Sequence, residues 1–180
     1  MTVDLTEKEL SSKQLFSGRL LEVYIDKVLL PNGETSTREW IDHPGAACII
    51  PIFPNGKLGL IRQYRYAAKN EFIEFPAGKL DKGESPESCA KRELEEEIGY
   101  TTKTLTFLTN IHPAIGFCNE KMWIYLAENL TKTSEKKDED EFLELIQTTP
   151  EKAIKMVKNG EITDVKTVIG LLWFCFLEKN

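Results

Sequence analysis

Residues 78–100 read GKLDKGESPESCAKRELEEEIGY, and this stretch decides how the rest of the chain is interpreted. Ser85-Pro86-Glu87 is typical of a helix start, because serine caps free amide groups and proline fits the first helical position. The acidic residue in the first turn also interacts favourably with the helix dipole. Gly99 is typical of a helix end, where the left-handed conformation is common. The stretch therefore predicts a helix from Pro86 to Ile98.

This predicted helix carries a cluster of glutamates. At the angular spacing of an α-helix, Glu93, Glu96 and Glu97 fall within one arc of about 100°. Like charges at these spacings destabilise an isolated helix by a few tenths of a kcal/mol per pair, and a divalent cation would relieve the repulsion. Carboxylate ligands favour Mg²⁺ or Mn²⁺ over zinc. A run of glutamates is, however, more often a solvated helix face, so the cluster alone leaves both interpretations open.

A wider spacing of glycine, glutamate and arginine favours the metal interpretation. Gly78 is followed after five residues by Glu84, and after seven more by Arg92-Glu93-Leu94. One further residue separates these from Glu96-Glu97, and Gly99 closes the pattern. The spacing resembles the signature of the Nudix hydrolase family, and average composition gives a chance match at a given start on the order of 10⁻⁸. The resemblance implies an α+β fold, an α/β/α sandwich with a mixed sheet, and hydrolysis of a substituted nucleoside diphosphate.

The resemblance also implies roles for the arginine and the fixed glutamates of the signature. Arg92 is expected to orient the glutamates, and Glu84 is expected to stabilise the loop and helix through Arg92. Hydrolysis of a diphosphate needs neutralised phosphate oxygens and an activated water, which metal ions held by carboxylates supply. The implied cofactor is Mg²⁺, with Mn²⁺ as the alternative. The implied metal ligands are Glu93, Glu96, Glu97 and the backbone carbonyl of Ala77.

Segments outside the signature resemble the ADP-ribose pyrophosphatase branch of the family. In that branch the substrate is ADP-ribose or a related nucleoside diphosphate sugar, and the products are a nucleoside monophosphate and a sugar phosphate. The matching segments are Phe16-Ser17-Gly18, Arg38-Glu39, His43-Pro44-Gly45-Ala46, Gln63-Tyr64-Arg65 and the residues from Glu74 to Gly78.

The same resemblance implies a set of substrate-binding residues. Arg38 and Arg65 are expected to contact phosphate or ribose, since a planar guanidinium suits such contacts. Glu74 and Gly116 are also expected in this set. The chain has Ala114-Ile115-Gly116 where the branch commonly has Ser-Pro-Gly, which leaves GDP-mannose or another nucleotide sugar open as the substrate. A nucleotide-sensing module without catalysis is the remaining alternative, although every metal glutamate is present.

The acidic segment Asp138-Glu139-Asp140-Glu141 is a candidate source of the general base. Taken alone, such a segment is usually a solvated loop. In the branch that this chain resembles, a glutamate from the corresponding loop activates the attacking water. Glu139 is the first candidate and Glu141 the second. Closure of such a loop on bound substrate would exclude bulk water.

Turn signals predict a small N-terminal β lobe, residues 1–42, followed by a hydrolase domain, residues 43–180. Pro31-Asn32-Gly33 predicts a hairpin within the lobe, because asparagine and glycine both tolerate positive φ. Pro54-Asn55-Gly56 predicts a second hairpin that joins strands at 46–53 and 57–66. By resemblance, the lobe is expected to form a domain-swapped homodimer. Lys166-Thr167, which follows Asp164, is interpreted as packing of a C-terminal helix.

Composition limits the classes of protein to which the chain can belong. The 180 residues carry a net charge of −6, which argues against nucleic-acid binding. The longest apolar run, at 168–177, is too short to span a bilayer, so no membrane partner is expected. The four cysteines are far apart and form no Cys-x-x-Cys pair. They and the absence of a signal-peptide pattern predict a cytoplasmic protein with reduced cysteines.

Overall fold

The computed structural model describes residues 3–133 and 142–177. Within it the chain divides into two compact units. The first unit extends to Pro44 and includes the distant segment Ala114–Lys121, whereas the second comprises Gly45–Pro113 and the chain from Met122 onward. The boundary predicted from the sequence, between residues 42 and 43, lies two residues before the division after Pro44. The segment Ala114–Lys121, however, was predicted as part of the second domain.

The first unit contains a three-stranded antiparallel sheet in the order β1-β2-β3. Its strands are β1 (Lys8–Ser17), β2 (Glu22–Leu29) and β3 (Thr35–Asp42). The hairpin predicted at Pro31-Asn32-Gly33 is confirmed: Gly33 has a φ of 88°, and its amide donates to the carbonyl of Leu30 at 2.9 Å. Strand β1 was not predicted, because its sequence KELSSKQLFS lacks regular apolar alternation and all ten residues are exposed.

The second unit contains three helices and the remaining strands. A four-stranded sheet has the order β7-β4-β10-β9, a three-stranded sheet the order β12-β5-β6, and a two-stranded sheet pairs β11 with β8. β10 runs parallel to β4 and antiparallel to β9, so the larger sheet is mixed. The elements are β4 (Ala46–Pro51), β5 (Leu58–Arg65), a 3₁₀ turn (Tyr66–Ala68), β6 (Asn70–Glu74), β7 (Ala77–Lys79), α1 (Pro86–Ile98), β8 (Tyr100–Thr101), β9 (Thr104–Ile111), β10 (Met122–Glu128), β11 (Thr131–Lys132), β12 (Glu144–Thr148), α2 (Pro150–Lys158) and α3 (Val165–Leu177).

The second predicted hairpin is wrong in its strand pairing. The turn at Pro54-Asn55-Gly56 does form, and the Phe53 amide donates to the Lys57 carbonyl at 2.8 Å. Beyond a single bridge between Ile52 and Leu58, however, β4 and β5 enter different sheets. Every residue of β4 is buried, and both of its edges are occupied by β7 and β10. β5 therefore pairs with β6 and β12 instead.

Alternate residues of β4 contribute to two apolar cores. Ala46, Cys48 and Ile50 pack in a cluster that includes residues of α2 and α3. Ala47 and Ile49 pack in a second cluster with α1. Because successive side chains of a strand point to opposite faces, the sheet lies between α1 and the two later helices. This arrangement confirms the expected α/β/α sandwich.

Two further observations concern the chemical character of the chain. All four cysteines are free, and Cys48 and Cys89 are fully buried. Burial raises the pKa of the Cys89 thiol to about 12, so this thiol is unreactive at neutral pH. Among the described helices, none combines the length and apolar character needed to cross a membrane.

Candidate metal and diphosphate site

Helix α1 has the ends that its sequence predicts. The Ser85 side chain accepts a hydrogen bond from the Ser88 amide at 3.2 Å, and Pro86 occupies the first turn. At the other end Gly99 adopts a left-handed φ of 73°, and its amide donates to Glu95. The apolar side of the helix is buried against β4 and β10, which fixes the position of its acidic residues. The buried apolar residues of α1 are Cys89, Ala90, Leu94 and Ile98.

Arg92 is the centre of an ion-pair network on this helix. Its Nη1 donates to Glu93 Oε1 at 2.6 Å and to Glu96 Oε2 at 2.8 Å. Its Nε and Nη2 donate to the two oxygens of Glu84 at 3.0 and 2.9 Å. The hydrogen bonds from Arg92 hold the pKa of Glu84 below its ordinary value, and those from Glu84 raise the pKa of Arg92. Arg92 therefore joins the loop before α1 to two of the predicted metal ligands.

The short strand β7 lies against the acidic side of α1. The Ala77 amide donates to Glu97 Oε2 at 2.9 Å. A Cβ atom built on Gly78 would lie only 1.7 Å from Glu93 Oε1, so the Glu93 carboxylate occupies the space that a side chain would fill. Glu97 is 4% exposed and Glu93 9% exposed. The glycine is thus required for the close approach of this carboxylate to the β7 backbone.

The donor set fits a hard divalent cation. Glu84, Glu93, Glu96, Glu97 and Arg92 together carry a formal charge of −3, and a cation would offset it. Each carboxylate has about four acceptor positions, so a hydrogen bond from Arg92 or Ala77 leaves capacity for a metal ion. Across the described residues, no three acidic, histidine or cysteine side chains form a preassembled metal-binding group. The oxygens of Glu93 and Glu96 converge instead on Arg92.

A second group of predicted site residues forms a separate ion pair. Arg65 Nε and Nη2 donate to Glu74 Oε1 and Oε2, each at 2.8 Å, which is a bidentate pair. Burial raises the pKa of Glu74, but the hydrogen bonds and charges of Arg65 and Lys166 lower it further, so the net direction is downward. The two residues line an open cavity of about 340 Å³. The structure therefore pairs two residues that the sequence assigned to substrate binding.

The remaining predicted site residues are distributed elsewhere in the chain. Arg38 lies in the first unit, where its Nε donates to Glu7 Oε2 at 2.9 Å. Gly116 belongs to the same unit, and a Cβ built there would meet nothing within 4 Å. Glu139 and Glu141 lie outside the described residues.

Lys166 makes a polar contact that was not predicted from the sequence. It was interpreted as helix packing, but its ammonium donates to Glu74 Oε2 and its side chain is only 7% exposed. A lysine in the largely apolar sequence VKTVIGLLWFCFL of α3 is the signal that could have indicated a buried partner.

Comparison with known proteins agrees with this geometry. An ADP-ribose pyrophosphatase of Bacillus subtilis is 43% identical over 93% of this chain and 91% of its own length. A methanol dehydrogenase activator of Bacillus methanolicus is 42% identical over 92% of this chain and 90% of its own length. The crystal structure of an ADP compounds hydrolase superposes with a TM-score of 0.87 at 26% identity, covering 99% of this chain and 97% of that one. The model of the NUDIX domain matches residues 42–168, and the chain therefore belongs to the NUDIX family.

Proposed function

We propose that the protein hydrolyses the diphosphate linkage of ADP-ribose or a related nucleoside diphosphate sugar, in a reaction that depends on Mg²⁺. The products would be a nucleoside monophosphate and a sugar phosphate. The observation that carries the proposal is the acidic side of α1, where Glu93 and Glu97 lie against β7 and Arg92 joins Glu93 to Glu96. The similarity to an ADP-ribose pyrophosphatase over nearly the whole chain supports the choice of substrate.

The cation would be held by Glu93, Glu96 and Glu97, together with the carbonyl of Ala77. When bound, Mg²⁺ supplies neutralising charge for the diphosphate oxygens and activates the attacking water. Mn²⁺ offers the same preference for oxygen ligands and is the alternative cation.

Residues of the chain orient the reacting groups. Arg92 holds Glu93 and Glu96 in position through its Nη1, and it anchors the loop before α1 through Glu84. Arg65, fixed by Glu74, is the candidate for binding a phosphate of the substrate. For the general base we propose Glu139, with Glu141 as the second candidate.

The test is a hydrolysis panel with Mg²⁺ over ADP-ribose, GDP-mannose and other nucleoside diphosphate sugars. Glu97→Gln keeps an acceptor for the Ala77 amide but removes a charged ligand. We expect a loss in kcat/KM beyond the roughly 10–100-fold typical of an outer-shell partner. The matched control is Glu95→Gln, which removes the same charge from the same helix and should leave turnover nearly unchanged.

Two outcomes would contradict the proposal. Wild-type protein that hydrolyses no member of the panel excludes the proposed reaction. Equal rates for wild type and Glu97→Gln would remove Glu97 from the site. A preference for GDP-mannose would instead select the alternative substrate that the departure at Ala114-Ile115-Gly116 leaves open.

We also propose that the first unit forms the interface of a domain-swapped homodimer and that the protein acts in the cytoplasm. All ten residues of β1 are exposed, including the apolar Leu10, Leu15 and Phe16, which is consistent with a partner surface. The four free cysteines are consistent with a reducing compartment.

A further inference from the structure

Arg65 has a guanidinium that is only partly used by the protein. Strands β5 and β6 are paired, with Arg65 opposite Asn70 and Ile61 opposite Glu74. Because alternate residues share a face, Arg65 and Glu74 lie on the same face of the sheet. Nε and Nη2 of Arg65 are committed to Glu74, whereas Nη1 donates to no acceptor within the described part of the chain. The Arg65 side chain is 46% exposed, while that of Glu74 is 2% exposed. One edge of the guanidinium is therefore fixed by a buried carboxylate, and the other is available to a ligand in the cavity.

The buried carboxylate has a second cation. Lys166 Nζ donates to Glu74 Oε2, the same oxygen that accepts from Arg65 Nη2. Lys166 Nζ also lies 3.1 Å from Asp164 Oδ2. Burial lowers the pKa of Lys166, but the carboxylates of Asp164 and Glu74 raise it further, so the ammonium stays charged at neutral pH. Two cations and two anions thus balance at the wall of this cavity.

Hydrogen bonds tie this group to the start of α3. Asp164 Oδ2 accepts from the Thr167 amide at 3.0 Å and from its hydroxyl at 2.6 Å. The Thr167 hydroxyl oxygen in turn accepts from the Phe75 amide at 2.8 Å. Phe75 directly follows Glu74, so the network returns to the residue that holds Arg65. These contacts fix Lys166 between the two carboxylates.

The charge of Lys166 affects which carboxylate the Arg65 guanidinium pairs with. Without the ammonium, Glu74 and Asp164 would present two carboxylates to a single guanidinium. Asp164 lines the same cavity, so it would compete for the Nη1 edge that now has no protein acceptor in the described part of the chain. The Lys166 ammonium pairs with both carboxylates, and its charge offsets theirs so that Asp164 does not compete for Arg65.

We propose that Lys166 is a positioning residue, which holds Arg65 in its bidentate pair with Glu74 and keeps Nη1 available for a phosphate oxygen of the substrate. The inference rests on the proposed function, because it assigns that phosphate to a nucleoside diphosphate sugar. A purely structural lysine would stabilise the fold without acting through Arg65.

A double-mutant cycle separates these two roles. Lys166→Met, Arg65→Ala and the double variant are compared in steady-state hydrolysis of ADP-ribose with Mg²⁺. We expect Lys166→Met to raise KM about tenfold with little change in kcat, the pattern of lost substrate binding. In the Arg65→Ala background the same substitution should have almost no further effect on KM. Additive effects of the two substitutions would overturn the proposal.

Two further variants control for charge and for folding. Lys166→Arg keeps the cation and should restore most of the wild-type KM, while Lys158→Met removes an exposed lysine of α2 and should change nothing. Circular dichroism reports folding. If Lys166→Met does not fold, Lys166→Gln replaces it in the cycle, because its amide can still donate to Glu74 without carrying charge.

A measurement without substrate or metal separates this inference from the proposed function. In ¹⁵N NMR spectra of the metal-free protein, the Nε–H of Arg65 should exchange slowly with water, because it is held by Glu74. The signal should shift or broaden in Lys166→Met, because Asp164 then competes for the guanidinium, and it should stay unchanged in Lys158→Met. An unchanged signal in Lys166→Met overturns the positioning role. Absence of turnover by the wild type, with the signal behaving as expected, refutes only the proposed function.

Discussion

Replacing Gly78 with alanine tests the contact between β7 and α1 most directly. The added Cβ would lie 1.7 Å from Glu93 Oε1, 2.0 Å from its Cδ and 2.5 Å from its Oε2. Real Cβ atoms essentially never approach another heavy atom closer than 3.0 Å. The nearest Glu93 oxygen must therefore retreat by about the difference between 1.7 and 3.0 Å, whereas metal-ligand distances tolerate only ~0.2 Å.

A misplacement of about 1 Å in a catalytic group can reduce activity about a hundredfold. We therefore expect Gly78→Ala to lower kcat/KM for ADP-ribose by at least about that factor and to weaken Mg²⁺ binding measured by calorimetry. Glu93 has to move because the backbone of β7 is held by pairing with β4. The loss should persist at saturating substrate, since the change acts on the metal ligands.

The control for general destabilisation is Gly56→Ala. Gly56 has a φ of 74° and open space around it, so alanine adds backbone strain of about 1 kcal/mol without a steric clash. A loss of that size lowers Tm by about 2–4 °C in a domain of this size, and activity below Tm should survive. Gly78→Ala with wild-type kcat/KM and metal affinity would refute the placement of Glu93 in the site.

Three other predictions concern stability, the general base and assembly. Glu74 has a pKa below its ordinary value of 4.5, so its charge stabilises the fold above pH 4.5, and this contribution disappears as pH falls through the lower folded pKa. Glu74→Gln should therefore have a lower Tm than wild type at pH 7, with a difference that shrinks below pH 4.5; an equal difference at all pH values would contradict the ionised pair. Glu139→Gln should lower kcat far more than it raises KM, and the same loss in Glu141→Gln alone would identify the other glutamate as the base. Light scattering should give a dimer mass, and a single species of 20.6 kDa would exclude the swapped homodimer.

Features encoded by adjacent residues were predictable from the sequence. Ser85, Pro86 and Gly99 specify both ends of α1 by local capping, and the structure has the helix at the predicted bounds. The spacing from Gly78 to Glu97 likewise placed the acidic side of the helix, because a helix converts sequence spacing directly into angular position.

Features that depend on distant partners were not predictable in this way. Pro54-Asn55-Gly56 specifies a turn, but the partners of β4 and β5 depend on strands elsewhere in the chain. Lys166 and Glu74 are 92 residues apart, so no local pattern indicates that they meet. Strand β1 depends on backbone pairing with β2, since none of its residues is buried.

The break between β6 and β7 has a consequence for efforts to redesign this protein. Five consecutive residues make both sets of contacts. Glu74 accepts from Arg65, while Ala77 and Gly78 contact the glutamates of α1. An insertion or deletion in this span would shift the arginine anchor and the acidic helix contact together. Library design aimed at a new sugar or base should therefore leave these five positions untouched.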